Sequence, residues 1–238
     1  MTRKHTETLV VQSGPATSCQ RQKENMKTFD EILKEGAARM LKEHQKQYGE
    51  KSGDLKNIES ELLRDIRKNT PVRYENAWFP SEKLFEKVYT VLSNKRGMYF
   101  YGGVGTGKTY LLYAIHRLIM AKSLKARVVN LPDFLSLLKA FYSDKYEGEN
   151  AIQDAIKSRA IFLIDDVGAE KISEWSLDIF YQLINYRYEQ NLSTFFGSNL
   201  TLEQLAKQYG DRIVSRITEM CEIIKHDGPD RRLPKNHV

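Results

Sequence analysis

The stretch Gly102-Gly103-Val104-Gly105-Thr106-Gly107-Lys108-Thr109 constrains this chain more than any other. It has the form G-x-x-x-x-G-K-[ST], and its flanks suit that form. The apolar run Gly97–Tyr101 reads as a strand, and Lys108–Ala121 reads as a helix with Leu111, Leu112, Ile115 and Leu118 inward. Glycines let backbone amides point inward around β- and γ-phosphates, and the helix start adds the positive end of its dipole. Lys108 supplies a point charge to the phosphates, while the Thr109 hydroxyl suits Mg²⁺. The expected nucleotide-binding run is therefore Gly102, Gly103, Val104, Gly105, Thr106, Gly107, Lys108, Thr109 and Tyr110. A dinucleotide-binding turn is excluded: Gly103-x-Gly105 would need Gly or Ala at position 108, where a lysine stands.

A phosphate loop of this kind needs an acid on a neighbouring strand. Ile161-Phe162-Leu163-Ile164-Asp165-Asp166 supplies two carboxylates at the end of an apolar run. Asp165 is placed to orient Mg²⁺, and Asp166 to polarise an attacking water. Alone, such a pair would as readily cap a helix. A further polar tip follows Phe195-Phe196-Gly197, where Ser198-Asn199 sets an amide within reach of a γ-phosphate; the competing role for Asn199 is a turn before the next helix. Arg212 and Arg216 stand four apart on one helical face, either solvated or reaching a neighbouring subunit's nucleotide.

Around this centre the chain alternates strand and helix from Val72 onward, with strands expected at Gly97–Tyr101, Arg127–Leu131, Ala160–Ile164, Ser193–Gly197 and Cys221–Lys225. Apolar strands alternating with helices imply a parallel sheet covered on both faces. Residues 1–27 are polar and read as a disordered leader. Residues 28–70 read as two amphipathic helices, the first opened by the capping-box sequence Thr28-Phe29-Asp30-Glu31. Such a pair must pack on the main domain, on another copy or on a partner. Residues 71–238 form the third segment. The 37 Lys+Arg against 31 Asp+Glu, a net charge of +6, suit a polyanionic partner without demanding one. Cys19 and Cys221 are the only cysteines, too few for a disulfide framework or a thiolate zinc site. No apolar run approaches the ~18 residues needed to span a bilayer, so the expectation is a cytoplasmic protein with no membrane partner.

The ordered set of phosphate loop, Asp165-Asp166, Ser198-Asn199 and Arg216 resembles that of AAA+ ATPases. The finer text is similar to the DnaC/IstB branch: Asp165-Asp166-Val167-Gly168-Ala169-Glu170, Trp175, Asn185-Tyr186-Arg187-Tyr188, Ser198-Asn199-Leu200 and Arg212-Ile213-x-Ser215-Arg216-Ile217. The resemblance covers residues 72–232. It implies an α/β AAA+ core, a five-stranded parallel sheet between helices with the phosphate-loop strand central. It also implies Lys108 and Thr109 as Walker A, Asp165 and Asp166 as Walker B, Asn199 as sensor 1, and Arg216 as a trans-acting arginine finger with Arg212 as second candidate. ATP and Mg²⁺ are the implied cofactors, and self-association through the AAA+ domain is implied with them. Three departures stand out. Asp166 replaces the more usual Glu, which implies slow hydrolysis; the cysteines for a zinc-binding N-terminal domain are missing; and about a dozen residues follow the last strand, which leaves no C-terminal helical lid. Arg231 or Arg232 is then a candidate to reach the nucleotide instead.

Functionally the resemblance implies an ATP-dependent helicase loader. Residues 28–70 would grip a hexameric replicative DNA helicase, and the AAA+ domains would hold single-stranded DNA. Lys139, Phe141, Tyr142, Lys145 and Tyr146 are candidate DNA contacts, although Phe141 and Tyr142 read slightly better as core. The alternative is a transposition helper like IstB, acting on double-stranded DNA with an integrase. A small P-loop kinase leaves Asn199 and Arg216 without roles, and a nucleotide-sensing adaptor would bind ATP without useful hydrolysis.

Overall fold

A computed structural model describes residues 28–48, 54–142 and 147–232. The leader expected over residues 1–27 lies outside them, as do Lys145 and Tyr146. The sheet contains β1 (Gly97–Tyr101), β2 (Ala126–Asn130), β3 (Ile161–Val167), β4 (Thr194–Ser198) and β5 (Cys221–Lys225), in the order β2-β3-β4-β1-β5. Every pairing is parallel. The phosphate-loop strand β1 is thus interior, held between β4 and β5, but the middle strand is β4. That corrects the expectation of a central β1, and it has a consequence: the β4 tip lies between the phosphate loop and the acids of β3.

Successive side chains of a strand point to opposite faces, so a strand buried on both sides must be apolar throughout. Met98, Phe100, Leu163 and Phe195 enter one core, while Tyr99, Phe162, Ile164 and Phe196 enter the other. The first core is closed by α3 (Glu82–Ser93) and α4 (Lys108–Ala121). The second lies under α5 (Leu131–Tyr142), α6 (Glu147–Ile156), α7 (Glu174–Glu189), α8 (Leu202–Tyr209) and α9 (Asp211–Met220). Arg187 of α7 is fully buried and knits the lower end of the sheet. It donates to the carbonyls of Ser158, Ala160 and Ser193 and to Thr194 Oγ1. Its charge is tolerated there because four acceptors replace its water.

The N-terminal helices α1 (Phe29–Tyr48) and α2 (Leu55–Lys68) pack on α4. The capping box is present: Thr28 N–H donates to Glu31 Oε2 at 2.7 Å, and Glu31 N–H to Thr28 Oγ1 at 3.3 Å. Ile32, Leu33, Leu62 and Ile66 join the same core as α4, each contributing roughly 1.5–3 kcal/mol as an upper estimate. At Gly36 the backbones nearly touch. A Cβ there would stand 1.7 Å from the Ala121 carbonyl oxygen, and Ser123 Oγ donates to Gly36 O at 3.0 Å.

Two further expectations change. Strand β3 runs to Val167 instead of ending at Ile164, because a bulge carries it past the two aspartates. Phe141 is 46% exposed rather than core: it lies with Leu137, 55% exposed, on the outer face of α5. Lys139 is also exposed on that helix, while the side chain of Tyr142 lies outside what is described. Among the described residues no helix follows β5, and no helix is long and apolar enough to cross a membrane.

Candidate nucleotide site

The site is built where β1, β3 and β4 end. Gly105 and Gly107 take φ of 75° and 104°, a region that strains any residue with a Cβ. Gly107 opens α4 without a side-chain cap, so first-turn amides are left for an external acceptor. Lys108 is 7% exposed, and its Nζ donates to the carbonyls of Gly102 at 2.9 Å and Gly103 at 2.7 Å. Burial lowers its pKa, Asp165 and Asp166 oppose that shift, and Arg232 adds to it. Thr106 Oγ1 donates to Gly103 O and stiffens the loop. Val104 and Tyr110 are exposed at its rim, and the Tyr110 hydroxyl donates to Asn76 O.

The acids sit in the β3 bulge. Pairing with β4 shifts register between Ile164 and Val167, so Asp165 and Asp166 no longer simply alternate across the sheet. Asp165 is 5% exposed and accepts a hydrogen bond from the Thr109 side chain. It lies flat on β4, where a Cβ at Gly197 would stand 2.5 Å from its Oδ1. Burial raises its pKa, while the Thr109 hydroxyl and Lys108 pull the other way. Hydroxyl and carboxylate oxygens brought together fit Mg²⁺, which takes one or two protein oxygens and completes its shell with phosphates and water. Asp166 adopts φ 54° within the strand, and Asn130 Nδ2 donates to its Oδ2 at 2.8 Å. The other end of the Asn130 amide accepts from Asp133 N at 3.3 Å in the first turn of α5.

Asn199 lies exposed just past β4. The neighbour that ties this tip down is Ser198. Its hydroxyl donates to Val167 O at 2.6 Å and accepts from Leu200 N at 3.0 Å, and its carbonyl accepts from Gly102 N at 3.2 Å. The C-terminal segment crosses the loop from outside. His226 N donates to Tyr101 O at 2.7 Å, Arg231 N donates to Gly105 O at 3.0 Å, and the Asp230 carboxylate packs on Gly105. The Arg231 guanidinium lies against Gly107. Arg212 and Arg216 stand apart from this group on α9, and Arg216 is held by α7.

A family model for IstB-like ATP binding proteins matches residues 85–237, which includes the whole site. The chain belongs to that family. Among named relatives of this IstB-like protein, the replicative helicase loader DnaI of Bacillus subtilis (strain 168) is 31% identical over 163 residues, 63% of this chain and 52% of the relative. The replicative helicase loader DnaC of Escherichia coli (strain K12) is 23% identical over 118 residues, 50% of this chain and 48% of the relative. The chain spans about half the length of these curated relatives. Its fold is like that of the DnaC helicase loader in crystal structure, with a TM-score of 0.58 and 23% identity over 66% of this chain and 100% of that one. It is also like the replication initiator DnaA bound to AMPPCP and single-stranded DNA, with a TM-score of 0.56 and 23% identity over 67% of this chain and 51% of that one. The IstB-like chain therefore has an ATP-binding AAA+ P-loop fold.

Three residues of this IstB-like site are given no role by the sequence: Asn130, Gly197 and Asp230. Asn130 had one weak signal, an amide at a strand end immediately before a helix. Its link to Asp166 crosses 36 residues and two strands, which no local pattern records.

Proposed function

We propose that this protein is an ATP-dependent loader of a hexameric replicative DNA helicase onto single-stranded DNA. The observation that carries the reading is a coincidence of place. The chain is similar to the loaders DnaI and DnaC, and the family match over residues 85–237 contains Lys108, Thr109 and Asp165, which meet at the strand ends. Backbone amides of Gly103–Lys108 bind the β- and γ-phosphates, and Lys108 leaves its two loop carbonyls to bridge them. Thr109 and Asp165 hold Mg²⁺, which when bound withdraws charge from the phosphate oxygens. Asp166 takes the proton side of the attacking water, and Asn130 aims its carboxylate. Asn199 senses the γ-phosphate at the β4 tip. Arg216, with Arg212 as second candidate, completes a neighbour's site; a finger supplied in trans is worth about 10³–10⁵ in rate. ATP binding favours the assembled, DNA-holding state and hydrolysis releases it. The exposed Leu137, Lys139 and Phe141 of α5 offer apolar surface, one charge and one ring to unpaired bases.

The apolar faces of α1 and α2 are spent on α4, so their charged outer faces are what remains to meet a helicase. The decisive experiment is ATP-dependent co-sedimentation with the replicative helicase of the same source, followed by transfer of that helicase to a single-stranded circle. The protein should retain helicase with ATP, and charge reversal at the exposed Lys34 and Lys42 should abolish retention with nucleotide affinity unchanged. Absence of helicase binding, with stimulation of an integrase on double-stranded DNA, would replace the loader function with that of a transposition helper.

A further inference from the structure

The run Asn185-Tyr186-Arg187-Tyr188 on α7 divides by face. Arg187 turns to the sheet and is buried, whereas Tyr181, Asn185 and Tyr188, spaced by one turn each, form a stripe toward α9. Arg216 lies across that stripe. Its Nε donates to Asn185 Oδ1 at 2.9 Å, Nη1 to the Arg212 carbonyl at 3.1 Å, and Nη2 to the Tyr181 hydroxyl at 3.4 Å. The guanidinium carbon stands 5.2 Å from the Tyr181 ring centre and 5.6 Å from that of Tyr188.

The bed itself is fixed from behind. Asn185 Nδ2 donates to Glu189 Oε1 at 2.8 Å, which turns the amide oxygen toward Arg216. The Tyr188 hydroxyl donates to Glu219 Oε2 at 2.9 Å, joining α7 to the last turn of α9. Arg212, one turn earlier, is exposed and contributes its carbonyl. A guanidinium has five N–H donors in a rigid fork. Three are used here among the described residues, which leaves one N–H on each terminal nitrogen, a pair that matches two oxygens of a phosphate.

We infer that Tyr181, Asn185 and Tyr188 are positioning residues that present Arg216 to the nucleotide of a neighbouring subunit. The inference rests on the proposed reading of Arg216 as a trans-acting finger. An arginine held in one rotamer before assembly does not lose that freedom during turnover, a saving of up to roughly 30-fold in rate. The same contacts could serve only to staple α7 to α9, and the two roles predict different kinetics.

The test uses full-length subunits in mixtures. Lys108→Ala subunits keep Arg216 but lack a working phosphate loop; Arg216→Ala subunits have the reverse defect. Turnover restored on mixing them establishes the finger in trans, and no restoration would overturn that reading and this inference with it. With restoration in hand, the donor is replaced by the Lys108→Ala/Asn185→Leu double variant. The expected result is turnover lowered roughly 10–30-fold at saturating ATP, with the KM for ATP and the assembled mass unchanged. Asn185→Asp in the same donor keeps an oxygen at Nε and should recover most of the rate. Full turnover with the Leu donor, or equal losses with Leu and Asp, would overturn the inference while leaving the trans finger intact. Tyr181→Phe, which removes only a hydroxyl, guards against misfolding of the Leu variant: a loss of about threefold is expected, and none would count against it.

Discussion

The nucleotide end of the sheet and the N-terminal helix pair solve opposite problems. At the nucleotide end the backbone is bent to expose polar groups: Gly105, Gly107 and Gly168 take positive φ there, and Asp166 does so within a strand. The other described non-glycine residues with positive φ, Lys95, Ser123 and Asn191, lie in turns that follow helices. Strain of that kind persists only where the surroundings hold it, and the hydrogen bond from Asn130 holds Asp166 here. The helix pair α1–α2 is regular, capped and closely fitted through Gly36. Its backbone conceals polar groups, and Ile32, Leu33, Ile58, Leu62 and Ile66 are consumed by packing, with Leu55 left exposed at the start of α2. A region's chemistry is thus written in departures from regular backbone, whereas a brace is written in conformity to it.

Lys108→Ala should separate the regions most sharply. Loss of two charge-assisted contacts to phosphate should weaken ATP binding roughly 10³-fold, about 4 kcal/mol, while the melting temperature without nucleotide hardly moves. A matching drop in melting temperature would show that the loop and the core are one structural unit.

Acid should act through α4, the helix that both regions share. His116 is 1% exposed, and burial, then the nearby Arg117 charge, pushes its pKa down from 6.5 to about 4. Above pH 6.5 the folded and unfolded chains both carry neutral His116, and it contributes nothing to pH dependence. As pH falls from 6.5 toward 4 the unfolded chain binds a proton that the folded chain refuses. Stability therefore declines by about 3 kcal/mol over that window. Denaturant titrations of the parent and His116→Phe at pH 7 and pH 4.5 should show that loss in the parent alone; parallel losses would remove His116 from the account.

The smallest effect belongs to Gly36→Ala. The new methyl meets the Ala121 carbonyl, and α1 must back away from α4 at a cost of about 2 kcal/mol, only partly offset by the better helix propensity of alanine. Thermal melting should fall by a few degrees with ATP affinity unchanged. An altered ATP affinity would mean that the brace communicates with the phosphate loop along α4.

Much of the site was legible because its parts are short-range. Gly102–Thr109 and Asp165-Asp166 are contiguous, and apolar alternation of strand and helix marked every element of the sheet. Strand ends were less legible: β3 continues through its acids because a bulge, invisible in composition, keeps the ladder going to Val167. Phe141 reads slightly better as core in the sequence because an aromatic at helical spacing looks the same whether its face is covered or bare.

The sequence by itself determined that a phosphate loop sits between a buried strand and a helix, with acids on a neighbouring buried strand. Phosphate binding and two-sided burial each demand particular residue types at fixed short spacing. Only the tertiary structure decided that Asn130 aims Asp166, that Asp165 rests on Gly197, that residues 226–231 cross the phosphate loop, and that Arg216 lies in a bed of α7 side chains. Those partners stand 36 residues apart for Asn130 and Asp166, and 31 for Arg216 and Asn185. Contacts at such separations depend on how helices and strands are stacked, and the stacking is set by the sum of many apolar contacts, not by any local pattern of residues.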